Sequence, residues 1–199
     1  MAHGHPTWAL GYADEVWWSR LAQPDQHGWV EPADILKLQA LERPKGDPDP
    51  KALACYGLVG RRRPLHPDHR LLRVVHGRPV SAVTTTFLAW VAERLVTHGG
   101  TALLLIWDNA SWHRSQAVRS WLQTYNQTVK RTGQGVRIVS CGLPVKSPWL
   151  HPIEPKGVHG TRAISEPDRL LSAAALEARV NNDYGCVPEA HLIMPKQAA

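Results

Sequence analysis

The chain has 199 residues, enough for one ordinary domain with a real core, and 43% of them are apolar, which excludes disorder over most of its length. The net charge is +6 and the pI about 9.5. That balance suits a polyanionic partner, nucleic acid first, although a basic surface that binds nothing would show the same balance. Cys55, Cys141 and Cys186 are odd in number and far apart, so neither a disulfide framework nor a zinc finger is expected, and a reduced intracellular setting is. "MAHGHPTWAL" has no basic stretch leading into a long apolar core and is no signal peptide. The longest apolar run, Ala102–Trp107, is far too short to span a bilayer, so no membrane partner is expected.

In chain order, "WALGYADE" (Trp8–Glu15) reads as a strand ending in two acids. "LERPKGDPDPK" (Leu41–Lys51) is a loop, rich in proline and charge. "ALACYGLV" (Ala52–Val59) and "LLRVV" (Leu71–Val75) are two strands joined as a hairpin by the basic link Gly60–Arg70. A helix follows over Ser81–Gly100, with Val83, Phe87, Val91 and Leu95 on one face, Ser81 as its N-cap and Gly99 and Gly100 as its stop. "ALLLIW" (Ala102–Trp107) is a strand. His113–Gly133 is a second helix with Val118, Trp121, Leu122, Tyr125 and Val129 on one face, and "VRIVSC" (Val136–Cys141) is another strand. A proline-rich loop, Leu143–Ile164, leads into a helix, and a last helix covers Pro167 to about Val180. Helices 81–98 and 113–131 serve as crossovers between parallel strands. The expected architecture is α/β, a mixed sheet of about five strands with helices on both faces, with residues 1–165 as the main domain and 166–199 as a helix and tail of the same unit.

The run "ALLLIWDNASWH" (Ala102–His113) stops at Asp108. A strand this apolar belongs in the middle of a sheet, and ligands of such sheets bind beyond the carboxyl ends of the central strands. Asp108 or Asn109 could equally cap the turn into the next helix. Asp14 ends the first strand, where it could lie beside the central one or be a surface acid in a turn. Glu154 follows Pro152 in "SPWLHPIEP", which puts it in a helix's first turn, where dipole compensation of under about 1 kcal/mol is the competing reading. Three converging carboxylates repel, and a divalent metal relieves that. Hard oxygen ligands suit Mg²⁺ or Mn²⁺. Two such ions about 3.5–4 Å apart activate an attacking oxygen and stabilise the leaving oxygen of a phosphodiester.

"WDNASWH" and "SPWLHPIEP", with "ADEVWW" upstream, resemble the catalytic blocks of DDE transposases, in particular the bacterial insertion-sequence branch of the mariner superfamily. In that branch the blocks read D-E, D-N-x-x-x-H and S-P-x-L-N-P-I-E. The resemblance runs from Trp8 to about Ile164. It implies an RNase H-like fold, with Asp14, Asp108 and Glu154 as the catalytic acids holding two Mg²⁺ or Mn²⁺ ions and Glu15 as a neighbour rather than a ligand. It also implies cleavage at transposon ends followed by strand transfer into target DNA, in the bacterial cytoplasm, by a chain that can pair as a homodimer. Asn109, His113, Lys146, Lys156 and Arg162 are the candidate DNA contacts. For His113 a structural role competes, and for the lysines simple solvation. Trp18, Trp112 and Trp149 could stack on bases or pack around the site. Arg61, Arg62 and Arg63 read as a solvated charge run.

The chain departs from the family pattern in places. Full-length relatives carry an N-terminal helix-turn-helix region, whereas this chain starts just before its first strand, so a truncated copy or one half of a frameshifted product is expected. His151 stands in place of the usual Asn, and Gly157 in place of the usual Trp. Each change costs the third block's helix on the order of 1 kcal/mol. Thr161 stands where a basic residue is usual. The reading that competes with an active enzyme is a remnant that at most binds DNA through its basic surface.

Overall fold

A computed structural model describes residues 5–20, 44–61, 69–144, 152–153, 160, 164 and 170–193. Six strands and three helices are described: β1 (Trp8–Ser19), β2 (Ala52–Gly60), β3 (Arg70–His76), α1 (Ser81–Thr97), β4 (Ala102–Trp107), α2 (Gln116–Thr132), β5 (Arg137–Gly142), α3 (Ala173–Tyr184) and β6 (Leu192–Ile193). They form one mixed sheet in the order β5-β4-β1-β2-β3-β6. β1, β2 and β3 are antiparallel neighbours, while β4 runs parallel to both β1 and β5, and β6 parallel to β3.

Strand periodicity sorts the side chains into two cores. On one face Ala9, Ala13, Leu103 and Leu105 pack under α1 and α2, whose Val83, Phe87, Leu88, Val91, Leu95 and Val118 are fully buried. On the other, Trp18, Leu53, Cys55, Leu72 and Val74 pack under α3 through Leu176 and Val180. Helices therefore cover both faces, as the sequence predicts. Trp18 is only 2% exposed, so its role is packing and not base stacking.

Four local expectations change. β1 does not end at its acids but continues to Ser19, because Val16 and Trp18 alternate into the second core. Ser81 is not the cap of α1: Val80 holds that position without a side-chain bond, and Ser81 is the first helical residue. α2 begins at Gln116, where the Ser115 hydroxyl accepts from the Val118 amide, so His113 sits in the turn before the helix. The last helix is shifted to Ala173–Tyr184, capped by Ser172 and stopped at Gly185 in the left-handed region. The Leu192–Ile193 strand is an addition to the expected five.

Two features fix β1. Arg20, at its end, is 3% exposed. Its guanidinium donates to Leu171 O (2.7 Å), Pro50 O (2.8 Å) and Asp47 Oδ2 (2.8 Å), with Asp49 Oδ2 at 3.6 Å. Asp49 also accepts from the Ala173 amide (2.8 Å), so the hub joins β1, the 44–51 loop and the start of α3. At the other end, a Cβ on Gly11 would lie 3.1 Å from both Leu58 methyls and 3.2 Å from Leu103 Cδ1. Among the described residues, no helix is long and apolar enough to cross a membrane.

Candidate functional site

β1 pairs with β4 from Trp8↔Ala102 to Tyr12↔Ile106. The last pair lies two residues before Asp14 on β1 and two before Asp108, which is the first residue past the end of β4. Both acids stand where an apolar stretch gives way: β4 ends at Trp107, and β1 turns polar at Asp14. Opposite Asp14 on β2 stands Gly57, and a Cβ there would lie 3.7 Å from Ile153 Cδ1. Ile153 is buried, and it lines, with Asp14, Val16 and Gly57, an apolar pocket of about 30 Å³.

Asp108 ties the turn that follows β4. Its Oδ1 accepts from the Ala110 amide (3.0 Å) and bonds His113 Nδ1 (2.8 Å), while the side chain keeps 47% of its exposure. The capping reading is met: Oδ1 ties the turn, while the group still faces solvent. Asp14 Oδ1 accepts from the Glu15 amide (2.8 Å).

His113 has its second nitrogen, Nε2, 2.8 Å from Glu15 Oε1, and the Trp112 indole donates to the same oxygen at 3.3 Å. Side-chain exposure is 2% for His113 and 6% for Glu15. The imidazole stacks on Trp107, with centroids 4.4 Å apart and planes 10° from parallel. Burial works against its charged form, but the hydrogen bonds to Asp108 and Glu15 and the charges of both outweigh it and push the pKa up to about 9. At neutral pH His113 is therefore an imidazolium donating to two carboxylates. Glu15 faces Tyr56 across the β1–β2 pair; burial and then the Glu15 charge push that phenol up, and its oxygen lies 2.7 Å from Thr84 Oγ1.

Asn109 is engaged within the chain: its Nδ2 donates to Leu143 O at 2.6 Å, joining the ends of β4 and β5. Glu154, Lys146, Lys156 and Arg162 lie outside the described residues, as do His151, Gly157, Thr161 and Trp149. Among the described residues, no group of three or more His, Cys, Asp or Glu side chains gathers as a metal cage. Of the three acids expected from the sequence, Asp14 and Asp108 are described, and carboxylate oxygens are the donor type that suits a hard divalent ion.

Sequence reasoning set Glu15 aside as a ligand and left Trp112 between base stacking and packing around the site. The signal for Glu15 was parity: it shares its face of β1 with the buried Ala13, so its carboxylate had to enter the core and find partners there.

Comparison with solved structures agrees with the topology. The chain is similar to a Mos1 transposase paired-end complex with the left transposon end (TM-score 0.59, 17% identity, 88% of this chain and 47% of that one). It is also similar to a Mos1 mariner paired-end complex with Mn (TM-score 0.57, 16% identity, 88% and 48%) and to the Mos1 strand transfer complex (TM-score 0.56, 14% identity, 90% and 47%). The fold is RNase H-like. This chain spans about half the length of those transposase chains. It matches no family model and no curated protein sequence.

Proposed function

We propose that the chain is a DDE-type transposase catalytic domain that cuts DNA at transposon ends and joins the freed 3′ hydroxyl to a target, in the manner of the bacterial insertion-sequence branch of the mariner superfamily. The observation that supports this reading is an RNase H-like sheet similar to that of Mos1 transposase–DNA complexes, in which the neighbouring strands β1 and β4 lead to Asp14 and Asp108, each two residues past their last pair. The burial of Ile153 beside the Asp14 pocket adds to it, because the next residue in sequence is the third acid expected from the motif. Asp14, Asp108 and Glu154 would hold Mg²⁺ or Mn²⁺, two ions by analogy, and the metals supply charge neutralisation for in-line phosphoryl transfer. The protein's part is to fix the acids, to exclude alternative geometries at Asp108 through His113, and to attract the DNA backbone with its excess of basic residues. DNA is the partner and a homodimer the working assembly.

The test is thermal unfolding with and without Mn²⁺, with nicking of a duplex as the second assay. Metal that binds only the folded state raises the midpoint by mass action. The wild-type chain should show that rise and metal-dependent nicking, and Asp108→Asn should lose both. A wild-type midpoint indifferent to Mn²⁺ removes the metal reading.

A second reading, a remnant that binds DNA without cutting it, is favoured by the altered third block, where His151 and Gly157 weaken the helix expected to carry Glu154 and Thr161 takes the place of a basic residue. Salt-dependent DNA binding with no nicking at any metal concentration would select it.

A further inference from the structure

We infer that Glu15 and His113 are positioning residues for Asp108, forming a buried chain that sets the angle at which this carboxylate meets a divalent metal. The inference rests on the metal reading above but concerns residues that the reading leaves without a role. The chain is continuous: Trp112 Nε1 to Glu15 Oε1 at 3.3 Å, Glu15 Oε1 to His113 Nε2 at 2.8 Å, and His113 Nδ1 to Asp108 Oδ1 at 2.8 Å. Each inner member is locked. The imidazole lies flat on Trp107 with 2% of its side chain exposed, and Glu15 has 6% exposure on the core face of β1. Asp108 is the solvent-facing end of the chain, at 47%.

A carboxylate bonded at Oδ1 to both the Ala110 amide and a fixed imidazole cannot rotate about its χ angles without breaking both bonds, so the direction of Oδ2 is set by the fold. Glu15 completes the device from the far side. Without it, the inner imidazole nitrogen would be buried with its hydrogen bond unmade, and the ring would turn to find a partner. Outer-shell partners of this kind affect metal affinity by about ten- to a hundredfold in well-characterised metal sites.

The experiment measures Mn²⁺ affinity of the full chain by titration calorimetry, at a temperature where circular dichroism shows each variant fully folded. Glu15→Ala, which removes no ligand, should weaken Mn²⁺ binding about tenfold or more. Glu15→Gln keeps an oxygen that accepts from His113 and should stay within about threefold of wild type. A role confined to stability would lower the unfolding midpoint of Glu15→Ala and leave the affinity of the folded protein unchanged, and that result overturns the inference. If Glu15→Ala does not fold, His113→Gln serves in its place: it can donate to one carboxylate but cannot bridge two, so the same loss is expected and an unchanged affinity refutes it. Failure of the metal reading looks different, because then the wild-type chain itself takes up no Mn²⁺.

Discussion

Replacing Arg20 by Met should remove a large share of the protein's stability. The guanidinium is 3% exposed and makes its contacts at 2.7–2.8 Å to two backbone carbonyls and Asp47, whose side chain is itself only 11% exposed. Methionine fills the space of the stem but leaves the Leu171 and Pro50 carbonyls without this donor and a largely buried carboxylate without its cation. Breaking a buried pair from one side costs about 3–5 kcal/mol. Orphaned carbonyls add to that, but Asp49 is one-third exposed, so water enters from that side and a total of about 4 kcal/mol is expected. Urea denaturation at neutral pH measures it directly. Arg20→Met with Asp47→Asn should recover about 1–2 kcal/mol, since the second change removes the stranded charge. A loss under about 1 kcal/mol for Arg20→Met, or no recovery in the double variant, would refute the assignment of the hub as a buried fastening of β1 to α3.

Metal-free protein should show a pH dependence traceable to His113. Its pKa is raised in the folded state, so the stabilisation is fully present below 6.5 and is lost as pH rises through about 9. The interval corresponds to roughly 3 kcal/mol, read as the gap in urea stability between wild type and His113→Gln, wide at pH 6 and narrowed at pH 10. Gly11→Ala should cost about 1–3 kcal/mol by scanning calorimetry, because the added methyl meets the Leu58 methyls at 3.1 Å in a packed layer between strands. Asn109→Ala removes the 2.6 Å bond to Leu143 O, and the Leu143 amide, which donates to Trp107 O at 2.9 Å, should exchange with solvent about tenfold faster.

Much of the fold was legible because its periods are clean. Val83, Phe87, Val91 and Leu95 mark α1 by a four-residue repeat, and the unbroken run Ala102–Trp107 marks a strand flanked on both sides, which β4 is. The acids Asp14 and Asp108 could be picked out as polar residues where apolar strands give way, but the register that pairs β1 with β4 could not, since it depends on which strand pairs with which. Reading Asp14 and Glu15 as the end of β1 failed for a physical reason: a polar pair resembles a strand terminus unless the alternation beyond it, Val16 and Trp18 facing one way, is weighed as well. His113 and Glu15 are 98 residues apart, and nothing local links them. β6, at two residues, carries no period to detect.

Two acids adjacent in a strand create an ambiguity that Gly11 resolves. A slip of β1 by one residue along β4 would put Glu15 where Asp14 now stands and turn Asp14 toward the core under α1 and α2, exchanging the two acids without changing a single side chain. In the native register the residue lying between the Leu58 methyls and Leu103 is the one with no side chain, and a slip either way would drive Leu10 or Tyr12 into that gap. Gly11 thus acts as a keyway three residues upstream of Asp14: the lack of a methyl group there, rather than any charge, opposes the slip that would exchange the two carboxylates.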